Sequence, residues 1–506
     1  MRTRLITLAV AVMAVLVAAP LSSTAVGTDS TALRTAVTVP GMQAHLNAFQ
    51  GFANASGGTR VDGTSGFEDS VDYVAAKAAA AGLDVTVQRF TFDRFEETAP
   101  SILARTAPTP KPYVDGTDYI TMDYSGSGDV TASLVPVNDI NLNSPGGSTA
   151  GCELADFPDT TAGKISLIQR GTCPFRQKAE NAKTKGAIGV IIFNEGNVVP
   201  SEDRVGLLFG TLDPPQFSLP VVGTSFAVGK ELFENAGATY RLKVQAHVVT
   251  TESANVIADT PTGRADRIVV VGAHLDSVAD GPGINDNGSG SAAQLEVAEQ
   301  IKELGIKPVN KIRFAWWGAE EFGLLGSEYY VSHLPVKELK NIAVNLNFDM
   351  VASPNFVRFV YDGDGNETGT KGPNGSGTVE RVFNDYFASQ GLETDPTAFD
   401  GRSDYGAFID RGIPAGGLFT GAEGIKTPEQ ALVYGGTAGQ PYDPCYHAAC
   451  DTLANINNVG FDQMSDAIAH AVLQFAMTTS AVNGTDNSST KAQVTTLKYK
   501  GSKAFR

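Results

Sequence analysis

The stretch Gly272–Gly290, GAHLDSVADGPGINDNGSG, decides how this chain is read. Ahead of it stand Ile268, Val269, Val270 and Val271, four β-branched residues in succession. Such a run fits a strand buried on both faces of a largely parallel sheet. Its end delivers His274, then Asp276 two residues on, then Asp286 in a glycine-rich loop. From Ser291 to Leu304 apolar positions recur near helical spacing, so the pattern predicts strand, loop and helix. Open α/β sheets build their sites at the carboxyl ends of strands, which is where His274 and Asp286 fall. Asp276 is badly placed as another ligand but well placed to hold the His274 ring, because a carboxylate accepting the second imidazole N–H fixes tautomer and orientation. Alone, a His-x-Asp after a strand is commonly structural, and the rest of the chain must decide.

Two more predicted strands end in carboxylates. Residues 312–317 run into Gly318-Ala319-Glu320-Glu321-Phe322-Gly323, and residues 342–348 end at Asp349. Adjacent glutamates beyond a strand can point apart, one toward a metal and one toward a proton-transfer position. In isolation the pair would be an exposed loop, and Asp349 a turn or cap. Downstream comes Tyr442-Asp443-Pro444-Cys445-Tyr446-His447-Ala448-Ala449-Cys450-Asp451. A Cys445–Cys450 bridge closes too short a loop to contribute as much entropy as a long one. Its better use is to hold Tyr446 and His447 rigidly.

The 506 residues leave room for two or three domains. With 38 Lys+Arg against 55 Asp+Glu the formal charge is −17, which argues against nucleic acid as a partner. Arg2 and Arg4, the apolar run Leu5–Val17 and Ser23-Thr24-Ala25 predict a signal peptide over 1–25 and a secreted, extracellular protein. That run is shorter than the roughly 20 residues a membrane span needs, and no other segment is long or apolar enough. Export agrees with four cysteines. Of three possible pairings, Cys152–Cys173 and Cys445–Cys450 are expected, each within one apparent domain. Neither pair has the spacing of a zinc finger or ribbon.

Residues 26–40 read as a polar, irregular lead-in. Helices are predicted over 41–52, 66–81, 175–185, 291–304, 378–390 and 462–479, and strands over 85–92, 267–273, 312–317 and 342–348. Composition shifts near Pro100, and the proline-rich stretch 105–117 predicts a linker or crossing point. Residues 119–250 then show short strands and Gly/Pro turns. There Gly151-Cys152, Gly163–Phe175, Lys178-Ala179, Asn181-Ala182 and Gly186–Asn194 closely resemble the protease-associated (PA) domain, a β-rich non-catalytic module inserted in several peptidases. Residues 484–506 read as a polar tail.

Taken together, His274-x-Asp276, Asp286, Glu320-Glu321, Asp349 and Cys445-Tyr446-His447 resemble the M28 family of co-catalytic zinc aminopeptidases, closest to the secreted Streptomyces-type enzymes. Gly401–Asp404 and Gly417–Thr427 look like that subgroup too. The resemblance implies the zinc-exopeptidase fold, a central, mostly parallel mixed sheet flanked by helices. Residues 41–118 and 251–483 would form the catalytic domain and 119–250 the inserted PA domain. It further implies two zinc ions, one held by His274 and Asp349, the other by Glu321 and His447, with Asp286 bridging. Glu320 would be the general base and Tyr446 an oxyanion donor. Arg402 would steady a substrate carbonyl or product carboxylate, and Phe419 would wall a pocket for a large apolar first residue such as leucine. Calcium at Asp462 and Asp466, seen in some relatives, lacks an acidic partner in Val37-Thr38-Val39-Pro40. The expected substrates are peptides or proteins with a free N-terminus, acted on by a monomer away from membranes. A metallocarboxypeptidase of the same superfamily and a catalytically inactive, receptor-like binding protein are the competing readings.

Overall fold

The computed structural model describes residues 28–143, 146–197 and 204–483, so the expected signal peptide and polar tail lie outside the described residues. Three helices come first: α1 (Thr31–Ala36), α2 (Val39–Ala55) and α3 (Ser65–Ala80). Thr38 caps α2 by accepting from the Gly41 N–H, with Pro40 in the first turn where no N–H is needed. Gly82, at φ 74°, turns the chain out of α3 into strand. The lead-in, irregular by composition, is instead helical over α1, because Leu33 and Val37 find places in the main core.

Strand β1 (Asp84–Ala107) is far longer than the 85–92 its alternation predicts. After β2 (Lys111–Pro112), β3 (Tyr119–Thr121), β4 (Gly128–Pro136), β5 (Ile165–Gln169), α4 (Phe175–Thr184), β6 (Gly189–Phe193), β7 (Val221–Thr224) and α5 (Phe226–Glu234), strand β8 (Thr239–Asp259) returns along β1. The two pair antiparallel from Asp84↔Asp259 to Ala107↔Thr239, with register shifts after Glu97, Ala99 and Arg105. The chain thus passes into and out of the middle module on a hydrogen-bonded ribbon, not a free linker. Within that module β4, β5, β6 and β7 are parallel, and α4 and α5 pack on separate apolar clusters. It is a small α/β unit more than a purely β-rich one.

The remaining strands are β9 (Arg264–His274), β10 (Asn310–Trp317), β11 (Ile342–Phe348), β12 (Phe359–Tyr361), β13 (Asp395–Thr397) and β14 (Ala415–Phe419). Between and beyond them run α6 (Gly288–Glu303), α7 (Leu325–His333), α8 (Val336–Asn341), α9 (Ser376–Ser389), α10 (Tyr405–Ile409), α11 (Pro428–Tyr434), α12 (Asn458–Met477) and α13 (Ser480–Asn483). The sheet order β13-β12-β14-β11-β9-β10-β8 is mixed and mostly parallel: β14, β11, β9 and β10 run together, β8 opposes β10, and the parallel pair β12 and β13 opposes β14 through β12. The period of two divides β9 cleanly. Val269 and Val271 enter the core covered by α2, α3, α6, α9 and α12, and Ile268 and Val270 enter the one covered by α7 and α10.

Candidate metal centre

Parallel pairing puts the carboxyl ends of β10, β9 and β11 side by side, with Trp317 opposite His274 and Asn347 opposite Gly272. The turn after β10 carries Glu320 and Glu321, the end of β11 carries Asp349, and the loop before α6 carries Asp286. His447 comes from the loop closed by the Cys445–Cys450 disulfide; the second bridge is Cys152–Cys173, so both expected pairings are present. Asp286 divides its oxygens between the histidines: Oδ1 is 3.2 Å from His274 Nε2 and Oδ2 is 3.2 Å from His447 Nε2. Asp349 Oδ1 lies 3.3 Å from His274 Nε2, and Glu321 Oε2 lies 3.1 Å from His447 Nε2.

These spacings suit metal ions. Tetrahedral zinc with arms of about 2.0–2.1 Å sets neighbouring ligand atoms about 3.3 Å apart. His274 Nε2 and Asp349 Oδ1 are buried with no hydrogen-bond partner, a costly state unless a cation sits between them. Charge points the same way. Burial pushes the Glu320 carboxyl well above its usual range; His274 pulls it back, and Glu321, Asp404 and Asp349 push it further up. Burial lowers His274, but Asp349, Glu320, Asp276 and Asp286 together outweigh that and hold it well above its ordinary value. Protons would gather where positive charge is missing, and a pair of divalent ions supplies that charge instead.

Asp276 lies against the Nδ1 side of the His274 ring and also does more. Its carboxylate is 3.5 Å from His274 Nδ1, while its own backbone carbonyl is nearer at 3.2 Å. The carboxylate oxygens accept the N–H groups of Glu320 and Glu321, each at 3.2 Å, and so orient the glutamate turn. Other supports had no role assigned to them from the sequence. Ser403 Oγ donates to Asp349 Oδ2 at 2.6 Å. Asp451 accepts the N–H groups of Asn285 and Asp286 at 2.9 and 3.0 Å, fixing the bridging loop. Fully buried Arg60 donates to the carbonyls of Leu275, Pro282 and Gly283 and ties both ends of that loop. Burial pulls Arg60 down to about 10, against the opposing pull of Asp276, Asp451, Asp286 and Glu321. Ala319, Met350 and His447 hold left-handed φ values of 53°, 49° and 55°, next to or within the cluster. Each such conformation costs about 1–3 kcal/mol and persists only where the surroundings enforce it.

Over the cluster opens a cleft lined by Tyr361, Asp400, Arg402, Phe419 and Tyr446. Arg402 donates to the Tyr446 hydroxyl at 3.2 Å and pairs with Glu423 at 2.9 Å. Phe419 stacks on Phe359 with centroids 5.9 Å apart. At the expected calcium position the Arg34 guanidinium lies 3.5 Å from Asp466 Oδ2, beside Asp462.

This sheet with paired His–carboxylate groups at its strand ends defines a metal-dependent hydrolase. The signature of peptidase family M28 matches residues 255–472, and that of the PA domain residues 130–232. The chain is 47% identical over 439 residues to an aminopeptidase of Pseudomonas aeruginosa, covering 87% of this chain and 81% of that one. It is 46% identical over 346 residues to leucine aminopeptidase 2 of Trichophyton equinum, covering 67% and 68%. A zinc aminopeptidase from Bacillus subtilis superposes with a TM-score of 0.59 at 28% identity, covering 85% and 94%. The chain belongs to peptidase family M28 and carries an inserted PA domain.

Proposed function

We propose that this chain is an exported dizinc aminopeptidase that removes N-terminal residues from peptides, large apolar ones such as leucine foremost. The observation that carries the reading is Asp286, with one oxygen toward each histidine and Asp349 and Glu321 completing the two groups. In it, His274 and Asp349 would hold one zinc, His447 and Glu321 would hold the other, and Asp286 would serve both. A zinc pair so held would lower the pKa of a water and polarise the scissile carbonyl. Glu320, buried and 3.9 Å from His274 Nε2, takes the proton of the attacking water and returns it to the departing amine. Tyr446 donates to the oxygen that gains charge, oriented by Arg402. The carboxylates of the centre attract the free α-ammonium, and Phe419 with Tyr361 walls the side-chain pocket.

The carboxypeptidase reading needs a cation free to take a terminal carboxylate. Arg402 is already paired with Glu423, which favours the aminopeptidase. Export rests on the N-terminal signal and two disulfides; among the described residues no helix is long and apolar enough to cross a membrane. The test compares hydrolysis of leucine anilide with its N-acetylated form, before and after chelation and with zinc restored. Turnover of the free amine alone, lost on chelation and recovered with zinc, is expected. Equal turnover of the acetylated substrate would overturn the reading.

A further inference from the structure

We propose that His45, Glu296 and Glu299 form a separate zinc site that clips α2 to α6. His45 is 1% exposed, and its Nε2 has no hydrogen-bond partner. That nitrogen faces Glu296 Oε2 at 3.5 Å and Glu299 Oε2 at 3.6 Å, and the three ligand atoms lie within reach of one ion. These separations are near the roughly 3.3 Å edge of a zinc tetrahedron, and only slightly wider than the 3.1–3.3 Å of the catalytic cluster.

The remaining polar atoms of the three side chains are engaged. Tyr73 Oη meets His45 Nδ1 at 2.8 Å, Gln300 Nε2 donates to Glu296 Oε1 at 3.0 Å, and Lys77 Nζ lies 3.1 Å from Glu299 Oε1. Each ligand is thus anchored through the atom it does not present, the arrangement that orients metal ligands and fixes a histidine's tautomer. Gly41 makes the room: a Cβ there would lie 2.3 Å from Glu296 Oε1. One imidazole and two carboxylates leave a fourth position for water, reached past the partly exposed Glu299. That donor set suits zinc; calcium and magnesium favour oxygen alone. His45 and the two glutamates belong to the helix layer and take no part in the proposed chemistry, so the ion would act on stability, not turnover.

The full chain, equilibrated with zinc in slight excess and crystallised, gives an anomalous difference map at the zinc edge that reads each site separately. The expected result is a peak about 2 Å from His45 Nε2, and one zinc fewer per chain in both His45→Gln and Glu299→Gln, with leucine anilide turnover unchanged. Glu299→Gln, at a partly exposed position, serves if His45→Gln does not fold. Tyr73→Phe should weaken zinc at this site about 10-fold. A map with no peak at His45, or one with the ring donating directly to a glutamate as a protonated imidazole, overturns the proposal. Because the peak is located independently, a peak here supports the site whatever the catalytic cluster holds.

Discussion

Glu320 is set back from the two histidines that Asp286, Asp349 and Glu321 approach to 3.1–3.3 Å. At 3.9 Å from His274 Nε2 it stands farther off than those ligand contacts, which supports the proposed role as proton carrier. Glu320→Ala should therefore keep both zinc ions and lose roughly 10²–10⁴-fold in kcat, read by anilide turnover alongside metal content. Near-normal turnover would remove Glu320 from its role. Ser403→Ala is expected to do the converse. Loss of the hydroxyl on Asp349 Oδ2 should weaken zinc about 10–100-fold in a chelator titration, with kcat restored at saturating zinc. A third residue speaks to stability. Lys178, fully buried in the inserted module with its ammonium on the Ala150 carbonyl, is pulled down by burial to about 8 from 10.5. Below pH 8 folded and unfolded chains both carry the charge, and its burial penalty is present in full. From pH 8 to 10.5 the unfolded chain binds more protons, so stability rises with pH across that window. Lys178→Met should raise Tm most below pH 8 and least near pH 10, a difference of order 1–3 kcal/mol in stability. A gap between the two melting curves that does not narrow with pH would count against a buried, titrating lysine.

The two disulfides close loops of very different length, 5 and 21 residues apart in sequence. Chain entropy assigns about 2 kcal/mol to the short loop and about 3 to the long one. The short loop, however, carries Tyr446 and His447, the latter at a left-handed φ of 55°. Replacing Cys445 and Cys450 by serine should cost activity and zinc out of proportion to Tm, whereas replacing Cys152 and Cys173 should lower Tm and spare leucine anilide turnover. A calorimetric scan with a metal assay separates the two, and equal activity losses would refute the assignment. At this scale the sequence was readable wherever hydrophobic period met a strong stop. The 342–348 strand needs no adjustment, and the predicted helices over 66–81 and 175–185 lie within a residue of α3 and α4. The His, Asp and Glu residues that gather at the strand ends stood out because each follows an apolar strand or sits in a disulfide ring. The supporting roles of Arg60, Ser403 and Asp451 did not, because these residues act on loop carbonyls, amides or a single carboxylate oxygen, and such contacts leave no periodic trace. Strands β12 and β13, three residues each, are too short for alternation to register.

Across the whole molecule one continuous sheet path hides two separate interiors. Among the described residues the clusters beneath β9, β10 and β11 draw on nothing between 86 and 253, and those of the inserted module on nothing outside 95–246. What joins them is the β1–β8 ribbon, whose length was invisible in a sequence where composition changes near Pro100 and pairing partners lie some 150 residues apart. Cores that do not share side chains should fold without one another. Phe95 stands directly opposite Val248, so residues 96–247 can be replaced by a two-residue Asn-Gly turn that matches the twist of an antiparallel pair. The cut removes the Tyr124 hydroxyl from the Asp93 carbonyl and the Phe95–Tyr124 ring contact, both peripheral to the metal cluster. The shortened chain should fold cooperatively, bind the catalytic zinc pair and hydrolyse leucine anilide with kcat/KM within about tenfold of the full chain, roughly 1.4 kcal/mol in barrier. Loss of zinc, or of a cooperative melting transition, would instead make the inserted module part of the catalytic fold, because the ribbon alone would then be insufficient to hold β8 against β10 beside the site.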